Sequence, residues 1–361
     1  MSLIQTPSGP IPAQSAGEVN IIDDEQDSGR PLRLQILRFV PMVLILGLLI
    51  HFLLPRLDSI QDSVATMRTM APWAIAFAAG FEALSYLANG ALLQSVLAMV
   101  GNPMSLRRTV AIEMGAATVS LVAAGTLGFG AAIYRWTRSR GVSADAAMLA
   151  SWLPSVFDAT SLVLFAFIGA VNLLFFHRLS HTTGVALALV ISVLSMAILS
   201  VILLLARNDW LEALAQRVGR LLKRLRPSID ETVLFETVKR AEETWETMKG
   251  GGWIRPAACS LMVLTFDLLC LRYSFLAAGE NLKISLLLAG YGVPILLGRA
   301  SFLPGGIAVI EVAMAALYGG LGVPASAAVV AVLTYRLISF WLPTAVGIPI
   351  AITLHSRKHG R

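Results

Sequence analysis

Glu311 and Arg336 stand in a stretch of sequence that otherwise offers very little charge. The acid closes PGGIAVIE (304–311), where Pro304, Gly305 and Gly306 interrupt a long apolar region. A carboxylate in such a setting binds a cationic group or exchanges a proton, and arginine's planar fork suits a phosphate. Backbone amides at Gly305 and Gly306, opening a half-helix, would add an anion-binding element. The other charged residues inside apolar runs are Glu82, Glu113, Asp158, Asp267, Arg272 and Arg299. Each costs about 3 kcal/mol or more at the centre of a bilayer, which makes it a functional candidate by default. Glu82 and Asn89, two helical turns apart on one face, outline a secondary polar path together with Asp267. Two alternatives stay open: helix-packing hydrogen bonds for Glu82 and Asn89, and a purely structural Glu311–Arg336 ion pair, which is compatible with a breakable gate.

The elements that hold these groups are apolar. Of 361 residues, 56% are hydrophobic and 14% charged, against about 25% charged in a soluble domain. Mean hydropathy is +0.74. Several runs reach the roughly 20 residues that a bilayer requires. The chain therefore reads as an all-α polytopic membrane protein of about eight transmembrane helices, near 38–55, 72–100, 107–124, 143–176, 184–206, 253–279, 282–300 and 324–355. The net charge of +6 sits at the ends of these runs, as anionic lipid demands, and forms no nucleic-acid footprint.

Residues 1–34 are polar, lack the pattern of a signal peptide and are expected to be a disordered cytoplasmic tail. Residues 35–361 form a single membrane domain with an extramembrane insert at 207–252. In that insert Leu211, Leu214, Val218, Leu221 and Leu222 alternate with Arg217, Arg220, Lys223 and Arg224. The pattern fits a basic amphipathic helix on an anionic leaflet, or a solvated helical hairpin broken at Pro227. Arg33 and Arg38 before the first run, and Arg357, Lys358 and Arg361 after the last, predict cytoplasmic termini in a plasma membrane, the bacterial inner membrane. Eight strict spans would place 207–252 outside, against its basic half.

The chain repeats itself. GVSADAAMLA (141–150) and GVPASAAVVA (322–331) share Gly, Val and four alanines at an offset of 181 residues. The same offset sets GTLGFGAAIYRW opposite GIAVIEVAMAAL. Repeat 1 runs over 72–176 and repeat 2 over 253–355. Duplicated polytopic chains are typical of transporters, whose sites lie between repeats at broken helices. Irregular backbone at membrane depth is tolerated only where protein or water satisfies it. The Gly-rich breaks at 125–130 and 304–306 are thus expected to be paired re-entrant segments; ordinary extramembrane loops are the alternative. Strict counting predicts parallel repeats, whereas alternating access prefers inverted ones.

PGGIAVIE, GVPASAA and LTYRLISFWLPTAVG (333–347) together resemble the second-half signature of the flippase-like membrane family, which includes the transmembrane region of lysylphosphatidylglycerol synthases. The first half, MSLRRTVAIEMGAATVSLVAAGTLGFGAAIYRWTRSRGVSADAAMLASWLPSVFDA, resembles it more loosely, and the likeness covers about 72–355. It implies that Glu311 and Arg336 are substrate-binding, with Asp158 at the acidic position of the first half. Three departures stand out. Gly130 occupies the place of the first-repeat Glu, Ile133 that of its Arg with Arg135 the nearest replacement, and no aminoacyl-transferase domain follows before Arg361. Lysylphosphatidylglycerol synthesis by this chain alone is not expected.

No GxSxG, HExxH or GxxxxGK[ST] motif occurs. The five histidines are scattered and the two cysteines, Cys259 and Cys270, share one run. Neither a metal nor a cofactor is expected. The predicted function is translocation or headgroup binding of a phospholipid or other polar lipid, downhill or on a proton or ion gradient. The alternatives are a non-transporting accessory of hopanoid, glycolipid or polyprenyl-lipid biosynthesis, working beside a separate lipid-synthesis enzyme, and a membrane-embedded lipid-modifying enzyme using Asp158, Glu311 and Arg336.

Overall fold

The computed structural model describes residues 65–122, 125–176, 189, 191–196, 248–301 and 303–356. These fall within the compact unit Leu49–Arg361. The expected run at 38–55, most of 184–206, the tail at 1–34 and nearly all of the insert lie outside the described residues.

Every regular element described is helical. Four come first: α1 (Pro72–Met99), α2 (Leu106–Val122), α3 (Thr126–Arg138) and α4 (Ala144–Phe176). After the insert follow α5 (Ile254–Ala277), α6 (Ile284–Ala300), a single 3-10 turn (Pro304–Gly306), α7 (Val309–Gly320), α8 (Ala325–Arg336) and α9 (Leu342–Ser356). A wide turn of π geometry, Leu337–Trp341, carries α8 into α9.

Four described segments are long and apolar enough to cross a membrane: Pro72–Met99, Ala144–Phe175, Ile254–Ala277 and Ala325–His355. Leu92, Leu162, Leu264 and Leu271 are buried, while Leu87, Ile168, Phe175 and Met262 lie exposed on the same helices. A helix that is apolar on every side belongs in hydrocarbon. The exposed set faces lipid, and the buried set holds the bundle together.

α1 and α5 pack along their length as an antiparallel pair. The Ala71 amide donates to the Ala277 carbonyl at one end (3.1 Å). Midway, Ser85 Oγ donates to the Val263 carbonyl (3.2 Å). Near the Ala71 end Phe77 and Phe81 pack against the ring of Tyr273, with centroids 5.3 and 5.2 Å away.

Two shorter hairpins flank this pair. α2 and α3 run antiparallel, with Gly115 facing Trp136 so closely that an added Cβ would lie 2.9 Å from the ring. α6 and α7 do the same: Tyr318 Oη donates to the Leu287 carbonyl (2.9 Å) at the open end, and Gly298 meets Ile310 at the other. Each hairpin then lies against a long helix from the other half of the chain. On α2, Thr118 Oγ1 donates to the Thr344 carbonyl of α9 (3.4 Å), and a Cβ on Gly347 would lie 2.6 Å from the Met114 carbonyl oxygen. On α6, Gly292 meets Ala166 of α4, where an added Cβ would lie 2.5 Å from the Ala166 Cα. Small residues at these crossings let backbones approach, which is how helices pack where lipid is as apolar as leucine.

Candidate functional site

The tip of the second hairpin is irregular because its residues demand it. Gly305, Gly306 and Ala308 all have positive φ (64°, 63° and 68°). Glycine adopts that region freely, but alanine does so at a cost of order 1 kcal/mol or more. A Cβ on Gly305 would also run into the ring of Phe340, and one on Gly306 would lie 2.9 Å from the Gly298 Cα. The Gly-Gly pair is therefore needed twice: for the turn, and for the close docking of that turn.

The docking point fixes the depth of the tip. Gly305 rests against Phe340, and Arg336 Nη2 donates to the Gly305 carbonyl (2.8 Å). Arg336 ends α8 and Phe340 lies in the π turn, near the midpoint of the continuous helical path from Ala325 to Ser356. Arg299, at the end of the other arm of the hairpin, pairs with Asp158 (2.6 Å) near the middle of α4. Both arms thus end halfway along helices long enough to span a bilayer.

Glu311 lies in the first turn of α7. Its Oε1 accepts from Arg336 Nε at 2.6 Å, with the two side chains 17% and 8% exposed. The same guanidinium lies over the Phe340 ring, 4.4 Å from the centroid. One arginine therefore joins the carboxylate, the backbone of the tip and an aromatic face. Glu311 Oε2 is buried without a hydrogen-bond donor among the described residues.

A second polar cluster lies on the central α1–α5 pair. Asp267 Oδ2 accepts from Tyr291 Oη of α6 (2.5 Å) and from Tyr335 Oη of α8 (2.9 Å). Glu82 of α1 is 5% exposed and lies beside Asp267, because the Ser85–Val263 bond fixes the register of the antiparallel α1 and α5 one turn away. Sequence reasoning grouped Glu82 with Asp267 but missed the tyrosines. Tyr335 precedes Arg336 in the family-like LTYRLISFW stretch and was the one available signal.

The remaining candidates are dispersed. Asn89 donates weakly to the Ser85 carbonyl on its own helix (3.4 Å). Asp158 meets Arg299 rather than the Glu311–Arg336 pair. Pro304 opens the 3-10 turn of the tip. Gly306 is buried and packs on Gly298 and Ile310, while Gly305 carries the carbonyl that Arg336 binds. Arg135 is exposed in the last turn of α3, at the open end of the first hairpin and about 15 Å along the helix from Gly125. Gly130 and Ile133 lie on the same helix, so the first hairpin brings no charge to its tip where the second brings Glu311.

The comparisons with known proteins agree with this apolar helical architecture. Residues 39–347 match the family described as "Lysylphosphatidylglycerol synthase TM region". Over 89 residues the chain is 38% identical to a UPF0104 membrane protein of Methanothermobacter thermautotrophicus, covering 24% of this chain and 27% of that protein. Over 81 residues it is 36% identical to a UPF0104 membrane protein of Pyrococcus horikoshii, covering 22% and 24%. The shared segments thus span about a quarter of each of these relatives. The family match extends over most of the described helices, and the chain is an integral membrane protein belonging to the family of the lysylphosphatidylglycerol synthase transmembrane region.

Proposed function

We propose that the protein moves a polar lipid between leaflets, holding its headgroup at the Gly-rich tip between Glu311 and Arg336. The observation that carries this reading is the position of that ion pair. It sits where an irregular, backbone-exposing turn docks at half the length of a membrane-spanning helical path. Arg336 would take the headgroup phosphate and Glu311 a cationic headgroup substituent, each exchanging its present partner for the ligand.

The arrangement of the helices supports a duplicated, inverted architecture. Each helix of the second set starts within three residues of the position 181 residues beyond its counterpart. The counterparts α1 and α5 run antiparallel, and the hairpins exchange partners: α2 lies on α9, α6 on α4. Equivalent helices running in opposite directions mean a pseudo-two-fold axis in the membrane plane, as in alternating-access transporters. On this reading α2–α3 and α6–α7 are re-entrant hairpins that return to the side they left. Counted from the sequence, the apolar runs 38–55 and 184–206 and the four long described segments then give six crossings instead of eight. The basic insert falls on the same side as Arg107, Arg108, Arg135 and Arg138 and as Arg357, Lys358 and Arg361, which removes its conflict with the positive-inside rule. That side is the cytoplasm.

A structural lock is the second reading, and one observation favours it: Arg336 already has a carboxylate, a carbonyl and an aromatic ring as partners. Proteoliposomes carrying headgroup-labelled phospholipids separate the two. Translocation predicts a change in the labelled fraction reachable by a membrane-impermeant quencher, lost in Glu311→Gln. No change in leaflet distribution, with or without a proton gradient, sinks the proposal and leaves the lock.

A further inference from the structure

The second polar cluster has a chemistry of its own. Glu82 and Asp267 come from the two counterpart helices and meet near the point where α1 and α5 cross. Asp267 Oδ2 is already saturated by the hydroxyls of Tyr291 and Tyr335. That leaves Asp267 Oδ1 and Glu82 Oε2, both buried and both without a donor among the described residues. Two ionised carboxylates offer each other only acceptors, and in this setting such a pair repels. One proton between them satisfies both orphaned oxygens at once and leaves the pair with a single negative charge.

We infer that Glu82 and Asp267 share one exchangeable proton at the centre of the bundle, and that its arrival and departure set the grip of Arg336 on Glu311. The proton site stands on the register of α1 and α5, the tyrosine bonds to Asp267 and the two orphaned oxygens; its coupling to transport rests on the translocation reading above. The link to the tip is short, because Tyr335 and Arg336 are neighbours on α8 and Arg336 lies within electrostatic range of Asp267. With the proton bound, the pair carries one negative charge and Arg336 stays on Glu311. When the proton leaves, the second negative charge draws the guanidinium toward Asp267 and loosens its hold on Glu311 and on the Gly305 carbonyl. The proton returns from the opposite side to close the cycle, one in and one out.

The groups facing the pair are accounted for on every neighbouring helix. Cys270 on α5 and Tyr86 on α1 both lie within the field of Glu82. Arg299 on α6 lies within range of Asp267. Farther out, Glu113 of α2 acts on Tyr86 and Asp158 of α4 on Tyr291. The two arginines are the only cations in this set, and both already hold a carboxylate, Glu311 or Asp158.

Infrared difference spectroscopy of the purified full chain tests the proton directly. At neutral pH the wild type should show a protonated-carboxyl band that shifts in heavy water. In Glu82→Gln that band should vanish, because Asp267 keeps two tyrosine donors and stays ionised. In Asp267→Asn it should persist at a shifted frequency, as the band of an isolated Glu82 carboxyl. Either variant that folds decides the matter, and a carboxyl spectrum unchanged in it overturns the inference. Thermal stabilisation by sodium chloride over choline chloride, lost in the same variants, also overturns it, by assigning the site to a metal cation. In proteoliposomes a pH gradient should alter the wild-type rate and leave Glu82→Gln indifferent. Transport that ignores the gradient overturns the coupling. The band without any transport leaves the proton site standing and removes the translocation reading instead.

Discussion

Tyr335 and Arg336 are consecutive residues of α8, yet they serve different carboxylates: the hydroxyl of Tyr335 donates to Asp267 and the guanidinium of Arg336 holds Glu311. Successive helical residues point about 100° apart, so one turn of α8 can face the central helix pair and the hairpin tip together. The two polar clusters are thereby joined through a single stretch of backbone. A shift of α8 that serves one must be felt by the other.

Removing one member of the Glu311–Arg336 pair should cost more than removing both. Arg336→Met leaves neither oxygen of Glu311 with a donor among the described residues, and the expected loss is about 3 kcal/mol of stability in detergent. Arg336→Met combined with Glu311→Leu should recover most of it. Thermal unfolding followed by size exclusion checks the pattern; equal losses in the single and double variants would mean that the pair contributes little.

Arg336→Lys separates charge from geometry. Lysine keeps the charge but cannot hold Glu311 and the Gly305 carbonyl at once while stacking on Phe340. Reconstituted Arg336→Lys should translocate labelled lipid far more slowly than the wild type while retaining a near-native melting temperature. Full activity in this variant would show that a point charge suffices.

Gly305→Ala combines positive φ with a clash against Phe340. A destabilisation of about 1–3 kcal/mol is expected from the backbone and the overlap together. Adding Phe340→Ala should relieve the steric part alone, so a partial rescue in the double variant is the diagnostic result.

The two hairpins should open on opposite sides of the membrane. Ser139→Cys lies just beyond α3 and Ala325→Cys at the start of α8, and both positions are exposed. In a background lacking Cys259 and Cys270, a membrane-impermeant thiol reagent should label Ser139→Cys from the side that carries residues 357–361, and Ala325→Cys from the other. Labelling of both from one side contradicts the inverted arrangement.

Asp158 and Arg299 tie the middle of α4 to the end of α6. A double-mutant cycle with Asp158→Asn and Arg299→Gln should give a coupling of about 0.5–3 kcal/mol. Arg299 is 43% exposed, so a value near the lower limit is expected if water reaches the pair, and one near the upper limit if lipid covers it.

The sequence alone determined the membrane class, the positions of the long helices and the break at 304–306; of the break expected at 125–130 only Gly125 lies outside a helix, since α3 already begins at Thr126. The legible features are local properties: apolar run length, and the backbone freedom of PGG. The pairing of Glu311 with Arg336 was also legible, because two charges so near in an apolar sequence have few other places to go. The number and direction of crossings were not. Whether a 17-residue apolar helix such as α6 crosses or turns back depends on what its end meets; the proposed re-entry rests on Phe340 and Arg336 meeting the glycine tip and on Asp158 meeting Arg299. Nor could spacing show that Tyr291 and Tyr335 converge on Asp267 while Arg135 stays at an open end. Those outcomes follow from α1 and α5 packing antiparallel, with small residues setting the close crossings that bring distant parts of the chain together.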